Sequence, residues 1–395
     1  MMPQVAAPRS VIPSWNAIED VLISLTADQV ARAALRAPPV SEGPILIDAG
    51  RSEAGWSRIG SAFKCRQLYA WINVGGYSLI PADALTMGSM GHTAAAHWFA
   101  LEGCRQGGVV VGTQLLGPED ASRLLDPEDA VRAWVAKEKR GGPLIDGIIG
   151  AFRRYVAKHP EPIGRILGVE VPVGAVLGTV ETPRGPEWGL WLQDAPEWLL
   201  EGRRPPKLVE TTTLDCPGHP RHGQSIRITR KLDLIWQSSW GDVFVYDHKF
   251  VSHVNRASAE HAYESDGGFR SQSILASQLL PARAGATDHG GPHSGFAGVF
   301  ANLIGKFPPY KNEPVPIRRS AFREARFARN LFDVEHEVAR LEMETQAGER
   351  DVSEWPAADE ETTCIGRYAG GCSARRICLE GPGALDAGPS EFDGT

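Results

Sequence analysis

Period-two alternation of apolar and polar side chains predicts two neighbouring strands in the second half of the chain. The first covers residues 225–236 and carries Asp233 between two leucines. The second covers residues 242–251, where the apolar run VFVY is followed by Asp247 and, two positions on, Lys249. Because side chains alternate between the faces of a strand, we expect Asp247 and Lys249 on one face.

Helical spacing and short apolar runs mark the other predicted elements. Helices are expected at residues 17–35, 57–71, 87–104, 118–158 (two helices), 267–280 and 316–346. Further strands are expected at residues 165–173 and 295–304. The order helix, strand, strand, strand, helix, strand predicts an α/β fold with a mixed sheet flanked by helices.

The same pattern divides the chain into parts. In chain order these are a helical extension (1–56), a core (57–310) with a helical insertion (about 105–160) and a Pro/Gly-rich insertion (about 174–224), a long helix with a cysteine segment (311–380) and a disordered tail (381–395). The insertions are expected to leave one mixed sheet at the centre.

Composition narrows the class of protein. A content of 42% hydrophobic and 23% charged residues is that of a globular protein, and no apolar run reaches the ~18 residues that a membrane span needs. The net charge of −7 gives no global basic signature of nucleic-acid binding, although a local basic groove is enough for it. Six cysteines are too few for a disulfide scaffold in a chain of 395 residues, and the N-terminus lacks the apolar core of a signal peptide, so a cytoplasmic protein is expected.

Two acids and a lysine at the ends of apolar strands are costly to build without partners. Charges near a core cost several kcal/mol unless something pairs with them. A divalent cation would pair with Asp233 and Asp247, and Lys249 would then face a phosphate or a water. The structural alternative is a surface salt bridge, which contributes under about 1 kcal/mol to folding stability.

The sequence KLDLI around Asp233, followed fourteen residues later by Asp247-His-Lys249, resembles the two signature motifs of the PD-(D/E)xK nuclease superfamily. More narrowly it resembles the RecB-like branch, which includes CRISPR-associated and phage exonucleases. The resemblance implies a restriction-endonuclease-like core in the order α-β-β-β-α-β, with the N- and C-terminal parts of the chain joined at a cysteine metal cluster.

The resemblance also implies accessory residues. His92 in MGSMGH stands where the family has a helix histidine, and Glu170 stands where it has a glutamate on the first core strand; Glu210 competes for that role. Gln272 stands where the family has a glutamine, but Ala276 replaces the tyrosine usual four residues later. The implied catalytic set is His92, Glu170, Asp233, Asp247, Lys249 and Gln272.

The implied chemistry is phosphodiester hydrolysis by a divalent metal. His92, Asp233 and Asp247 would hold Mg²⁺ or Mn²⁺, and a histidine ligand favours tolerance of Mn²⁺. The implied activity is a DNA exonuclease acting on single-stranded or free ends in recombination, phage or defence-related DNA processing. Because the helicase signature GxxxxGK[ST] is absent from the sequence, we expect any unwinding to come from a helicase or recombination partner.

The cysteines form a second implied site. The RecB-like exonucleases often hold a [4Fe–4S] cluster with one cysteine before the core and three after it. Cys65, Cys364, Cys372 and Cys378 have that distribution. Four thiolates serve Zn²⁺ as well, and unligated buried thiols are the third possibility.

Two other functions stay open at the level of sequence. A non-catalytic DNA-binding or assembly protein on the same fold would need a broken metal site. A zinc-dependent hydrolase would use Cys216, His219 and His222 in CPGHPRH, although its prolines and short spacing make a tetrahedral shell hard to close. Basic pairs such as Arg318-Arg319, and Lys306 beside Phe307, are candidates for phosphate contacts.

Overall fold

The computed structural model describes residues 44–47, 56–76, 83–139, 141–158, 164–196, 199–200, 204–239, 242–280, 295–318, 320–357 and 378. The expected helix at 17–35, most of the N-terminal extension and the tail at 381–395 lie outside these residues. Cys364 and Cys372 lie outside them as well.

Eight α-helices occur among the described residues. They are α1 (Trp56–Lys64), α2 (Arg66–Tyr69), α3 (Asp83–Arg105), α4 (Pro127–Glu138), α5 (Ile145–Lys158), α6 (Arg256–Ser265), α7 (Gly267–Leu279) and α8 (Ala321–Gln346). A π-helical turn (Ala70–Val74) follows α2, and single 3₁₀ turns cover Pro118–Arg123, Gly142–Leu144 and Val352–Glu354. Within the described chain, none of the helices combines the length and apolar character needed to span a bilayer.

Nine strands in the described chain form one mixed, open sheet. They are β1 (Val109–Val111), β2 (Gln114–Leu116), β3 (Arg165–Thr182), β4 (Gly185–Asp194), β5 (Leu208–Thr211), β6 (Arg227–Gln237), β7 (Asp242–Val251), β8 (Gly295–Gly305) and β9 (Asn312–Ile317). The strand order is β2-β1-β3-β6-β7-β8-β9, and β4 and β5 also pair with β3. The pairs β1–β3 and β7–β8 are parallel, while the others are antiparallel.

Helices cover both faces of this sheet. On one face, α1, α7 and α8 pack on strand residues that include Val171, Leu232 and Val245. On the other, α3, α4 and α5 pack on residues that include Val169 and Leu234. Each fully buried apolar side chain in these two cores contributes about 1.5–3 kcal/mol. The prediction of an α/β fold with a mixed, helix-flanked sheet is therefore confirmed.

Some element boundaries differ from the sequence predictions. The strand expected at residues 165–173 continues to Thr182 and forms a long hairpin with β4, so much of the Pro/Gly-rich stretch is sheet. The helix expected from residue 316 begins at Ala321, because Ser320 caps it and Pro316 belongs to the edge strand β9. Strands β1, β2, β4, β5 and β9 and helix α6 were not predicted from the sequence, and β1 and β2 have only 3 residues each.

The long helix α8 is joined to the N-terminal helices by a group of ion pairs and hydrogen bonds that we call the helix clamp. Its members are Arg58, Tyr69, His219, Arg221, Glu335 and Glu342. Nearby, the side chain of Gln67 donates to the carbonyl of Ser353, so the start and end of the described chain are in contact. Charge-assisted hydrogen bonds of this kind are the stronger ones in proteins.

Candidate metal centre

The strands β6 and β7 separate at the point where the two predicted acids occur. Their ladder runs from Gln237 opposite Val243 to Leu234 opposite Tyr246 and ends there. Asp233 and Asp247 are the next residues on the two strands, and an Oδ2 atom of Asp233 accepts the backbone N–H of His248 at 2.9 Å. A carboxylate thus replaces the strand partner of this N–H, and the sheet opens between the two acids.

The neighbouring strand β3 is distorted at the same level. Glu170 lies opposite Asp233 and has a φ of +51°, which is unfavourable for a residue with a side chain. Strict alternation would place Val169 and Val171 on one face, yet they pack in the two opposite cores. This interruption leaves the Glu170 side chain buried beside Asp233. Glu210, the competing glutamate, is exposed on β5 opposite Thr179 and far along β3.

His92 reaches the acids from helix α3. A Cβ at Gly91 would meet the ring of Phe250 at 2.4 Å, so only glycine allows α3 to lie this close to β7. The close approach brings His92 Nδ1 to 3.0 Å from Asp233 Oδ2. Gly91 therefore has a packing role that places the histidine, whereas a Cβ at Gly88 would meet nothing within 4 Å.

Asp247 is contacted from three sides. Its carboxylate pairs with the Lys249 ammonium, as expected from their shared strand face. From helix α7, the buried Gln272 donates through Nε2 to Asp247 Oδ2 at 2.9 Å. On β6, Arg230 Nη2 lies 3.9 Å from the same oxygen. Residues from both helix layers thus converge where the sheet opens.

Three of these side chains have the geometry of a metal site. One ligand atom from each of His92, Asp233 and Asp247 lies within 4.8 Å of the other two. Among the described residues, this is the group of three potential ligands that could hold a metal ion. Carboxylate oxygens suit Mg²⁺ and Mn²⁺, and an added imidazole suits Mn²⁺. His92 Nδ1 would have to lose the proton that it donates to Asp233 before it could bind a metal ion.

Burial and mutual charges set the protonation of the site. Burial alone would lower the pKa of His92 and of Lys249, but the charge of Asp233 on the first and of Asp247 on the second raises both. Burial opposes ionisation of Asp233, but His92 outweighs it and lowers the pKa of this carboxyl. Burial, aided by the charge of Asp233, raises the pKa of Glu170 to about 8.

The site retains polar atoms that protein groups do not satisfy. Gln272 Oε1 and Arg230 Nε are buried and have no hydrogen-bond partner. Leaving such atoms unpaired costs about 1–3 kcal/mol each, and the strained φ of Glu170 adds a similar amount. Unpaired donors and acceptors around three converging ligands fit a site that is completed by an ion, its waters and an anionic substrate.

Arg230 is a site residue that our sequence analysis did not assign. Its side chain is expected on the same face of β6 as those of Ile228 and Leu232, which are both buried, so a cation on the core-facing side of the strand was to be expected at this position. Burial lowers the pKa of Arg230, while Asp247 opposes that change. A buried arginine needs a nearby acid, and that requirement was the signal that could have identified it.

The other histidines near these elements are held away from the metal centre. His248 points to the opposite face of β7, where it stacks on Phe99 at 5.2 Å and accepts from Asn302 at 3.0 Å. His97 accepts the N–H of Ile47 through Nε2, while its Nδ1 lies 3.1 Å from the carbonyl of Leu125. Burial lowers the pKa of each histidine to about 4.

The CPGHPRH segment forms part of the helix clamp. His219 Nε2 lies 2.7 Å from Glu342, and His219 Nδ1 accepts the N–H of Arg221. His222 accepts the N–H of Cys216. Both ring nitrogens of His219 are therefore engaged within the protein, and among the described residues these three side chains do not form a metal-ligand group.

The cysteines implied as cluster ligands are described in part. Cys65 is buried between α1 and α2, and its sulfur accepts the N–H of Leu68 at 3.4 Å. Trp71 Nε1 donates to the sulfur of Cys378 at 3.2 Å. The C-terminal cysteine thus lies against the segment that follows Cys65. Cys104 is a fully buried core thiol, and burial raises its pKa to about 12.

Comparison of the chain with family models, with curated proteins and with solved structures gives no significant match. Function is therefore inferred from the geometry of these side chains and from the sequence motifs. The strongest geometric feature is the convergence of His92, Asp233 and Asp247 beside Lys249.

Proposed function

We propose that this protein is a divalent-metal-dependent nuclease of the RecB-like PD-(D/E)xK type that hydrolyses DNA, with single-stranded or free ends as its substrate. The observation that carries the proposal is the placement of His92, Asp233 and Asp247 within metal-ligating distance, with Lys249 paired to Asp247. The buried, partly unsatisfied surroundings support a site rather than a structural ion pair.

The element order supports the same proposal. Helix α3, strands β3, β6 and β7, helix α7 and strand β8 occur along the chain in the order expected for a restriction-endonuclease-like core, with further helices and strands between them. In that order Glu170, Asp233, Asp247 and Lys249 occur on three adjacent strands, and Gln272 occurs on the next helix. This sequence order of the motif residues supports the proposal.

Each side chain has a distinct task in the proposed reaction. A bound Mg²⁺ or Mn²⁺ would polarise the phosphate and make water a stronger nucleophile. His92, Asp233 and Asp247 would hold the ion, and Gln272 orients Asp247 through its hydrogen bond. The Lys249 ammonium would offset the charge that develops on the phosphoryl oxygens.

Glu170 and Arg230 would act beside these ligands. Glu170 lies opposite Asp233 and would accept a hydrogen bond from water or complete the oxygen shell of the ion. Arg230 is held 3.9 Å from Asp247 and would contribute positive charge toward a phosphate. Glu170 is buried and Arg230 is largely shielded from solvent, and electrostatic interactions are stronger there than in water.

We also propose that Cys65, Cys364, Cys372 and Cys378 bind a [4Fe–4S] cluster, with Zn²⁺ as the alternative. The described part of this set fits thiolate ligands, because the sulfurs of Cys65 and Cys378 both accept N–H hydrogen bonds. Such a cluster would close a very long loop between the two ends of the chain. Iron with labile sulfide in the purified protein would favour the cluster, and zinc alone would favour the alternative.

The test of the nuclease proposal is degradation of end-labelled DNA. Anaerobically purified protein with Mn²⁺ is expected to shorten single-stranded substrate, and Asp247→Ala is expected to reduce the rate about a hundredfold to a thousandfold. Asp215→Ala is a matched control, because Asp215 is exposed and its contacts are with His222 and His336 rather than with the metal ligands.

Equal rates for Asp247→Ala and the wild-type protein would contradict the catalytic assignment. Binding of DNA without cleavage, unchanged by any metal, would instead favour a non-catalytic DNA-binding or assembly protein. Melting curves of each variant separate loss of catalysis from loss of folding.

A further inference from the structure

A second polar pocket lies outside the metal centre, between the end of α6, helix α7, strand β9 and the start of α8. Its lining residues are Glu264, Arg270, Ser273, Ile317, Arg318, Ser320, Arg323 and Glu324. Three of the eight are arginines. Helix α7 separates this pocket from the metal centre: its Gln272 contacts Asp247, and its next residue, Ser273, lines the pocket.

Arg270 supplies positive charge that no acid neutralises directly. Its guanidinium donates to the backbone carbonyl of Glu264 at 2.7 Å, and it makes no carboxylate ion pair within the described residues. Burial lowers the pKa of Arg270, and the nearby charges of Arg323 and Arg326 lower it further, while Asp266 and Glu324 oppose this change. An anion bound between Arg270 and its two neighbouring arginines would reduce their mutual repulsion.

The acids of the pocket hold the remaining arginines loosely. Glu264 lies 3.6 Å from Arg318 and 3.3 Å from Arg323, both longer than a charge-assisted hydrogen bond. Glu324 is the other acid of the lining. Arg326 and Asp266 also lie close to Arg270, so four arginines face three acids here and a net positive charge remains.

Ser273 provides an unused donor. It is 3% exposed, and its Oγ has no hydrogen-bond partner. On the same helix, Ser271 and Ser277 each donate back to a backbone carbonyl three residues earlier, at 2.8 Å. The Ser273 hydroxyl makes no such bond, and because it lines the pocket it is placed to donate to a ligand there.

The first turn of α8 completes the lining. This helix has 26 residues, and Ser320 caps it by accepting from the N–H of Arg323. The N-terminus of a long helix carries partial positive charge and attracts phosphate groups. An anionic ligand is therefore favoured by the helix terminus, by a guanidinium that has no carboxylate partner among the described residues, and by the Ser273 hydroxyl.

We propose that this pocket binds a phosphate group of the nucleic-acid strand, through Arg270, Ser273 and Arg323. The assignment of the ligand as a nucleic-acid strand rests on the proposed nuclease function. The prediction that the pocket binds a phosphate group does not depend on that function. Phe322 precedes the lining residue Arg323 in the first turn of α8 and is 75% exposed, which favours a nucleic-acid strand over free phosphate, because exposed aromatic rings stack on unpaired bases. The pocket would hold one phosphate while another part of the strand lies at the metal centre.

Phosphate binding is tested on the full-length protein without divalent metal, so that cleavage does not contribute. Titration with inorganic phosphate, followed by calorimetry, is expected to give binding that Arg270→Gln or Arg323→Gln weakens about tenfold. Arg340→Gln is the matched control, since this arginine of α8 pairs with Glu344 on the helix surface and is expected to bind normally. Equal phosphate binding by Arg270→Gln and wild type would overturn the proposal.

The variant Ser273→Ala distinguishes weaker phosphate binding from loss of folding. Removing a buried hydroxyl without a partner is expected to leave the melting temperature unchanged or raise it, while phosphate binding weakens. Undiminished phosphate binding by this well-folded variant would remove Ser273 from the site.

A labelled single-stranded oligonucleotide distinguishes strand phosphate from free phosphate. Arg270→Gln is expected to weaken its binding about tenfold and to reduce the salt slope by about 1. Phe322→Ala is expected to weaken oligonucleotide binding about tenfold and to leave inorganic phosphate binding unchanged.

Variants that lose inorganic phosphate but bind the oligonucleotide normally would overturn the strand assignment and indicate free phosphate as the ligand. Because these titrations need no catalysis, they separate this inference from the nuclease proposal. Asp247→Ala can abolish or spare cleavage without affecting either binding result.

Discussion

The protein contains two groups of buried charged side chains, the metal centre and the helix clamp, and they are built differently. In the clamp, all four carboxylate oxygens accept a partner: Glu335 from Arg58 and Arg221, and Glu342 from Tyr69 and His219. In the metal centre, Glu170 is strained, and Gln272 Oε1 and Arg230 Nε lack partners. Every carboxylate oxygen of the clamp is thus paired, and only Arg221 Nη2 among the clamp's members lacks a hydrogen-bond partner in the described structure, whereas the metal centre combines backbone strain with an unpaired acceptor and an unpaired donor.

The contrast between the clamp and the metal centre distinguishes structural polar groups from functional ones. Burying charge is tolerable when every carboxylate is paired, and the resulting group fixes the relative positions of helices. A group that keeps strain and unpaired atoms costs stability, and such a cost is typical of a site that awaits a ligand. His219, a metal candidate by sequence, belongs to the first kind, and His92 belongs to the second.

The largest expected effect on stability comes from breaking the clamp. Glu335→Gln leaves Arg58 and Arg221 without their carboxylate, and Glu335 is only 2% exposed. We expect the free energy of unfolding to fall by about 3–5 kcal/mol in urea denaturation. Glu337→Gln is the control, because this half-exposed partner of Arg66 contributes at most about 1 kcal/mol.

Mn²⁺ binding per folded molecule should be the same in Glu335→Gln as in wild type. Loss of metal binding without loss of stability in this variant would contradict the division into two groups.

The stability of the fold should depend on pH through His97. Both ring nitrogens of His97 have partners within the protein, as those of His219 do in the clamp. Its pKa is lowered to about 4 in the folded state, against about 6.5 when unfolded. Stability is therefore complete above pH 6.5 and is lost as pH falls, because the unfolded chain binds a proton that the folded chain does not. We expect a loss of about 3 kcal/mol between pH 7 and pH 4 from this residue. Urea denaturation of wild type and His97→Gln should show the smaller pH slope in the variant, and identical slopes would contradict the assignment.

A smaller effect is expected at Glu170. Glu170→Gln keeps the size of the side chain, so stability should change by less than about 0.5 kcal/mol, while Mn²⁺ affinity falls about tenfold to a hundredfold. Glu210→Gln should alter neither, since Glu210 is exposed on β5. A strongly destabilised Glu170→Gln with unchanged Mn²⁺ affinity would move Glu170 to the structural group.

Local pattern was enough to predict part of the centre. The strand over residues 242–251 has the expected bounds, and Asp247 and Lys249 share a face because alternation is a property of the strand itself. The helix carrying His92 was also predicted, with ends a few residues off. These features depend on neighbours in sequence.

The rest depends on contacts between distant segments. The positive φ of Glu170 arises where β3 pairs with β6, and the residue pattern within β3 does not predict it. The role of His219 is set by Glu342, which lies 123 residues away. The extension of β3 to Thr182 is stabilised by pairing with β4 and β5, which a single-strand pattern does not include.

The central claim is that His92, Asp233 and Asp247 hold one divalent cation. A crystal soaked in Mn²⁺ and measured at the manganese absorption edge tests it most directly. We predict an anomalous peak bonded to His92 Nδ1 and to an oxygen of each aspartate, and no peak there in Asp233→Asn. A well-ordered centre without a peak at millimolar Mn²⁺, or a peak bonded elsewhere, would contradict the account.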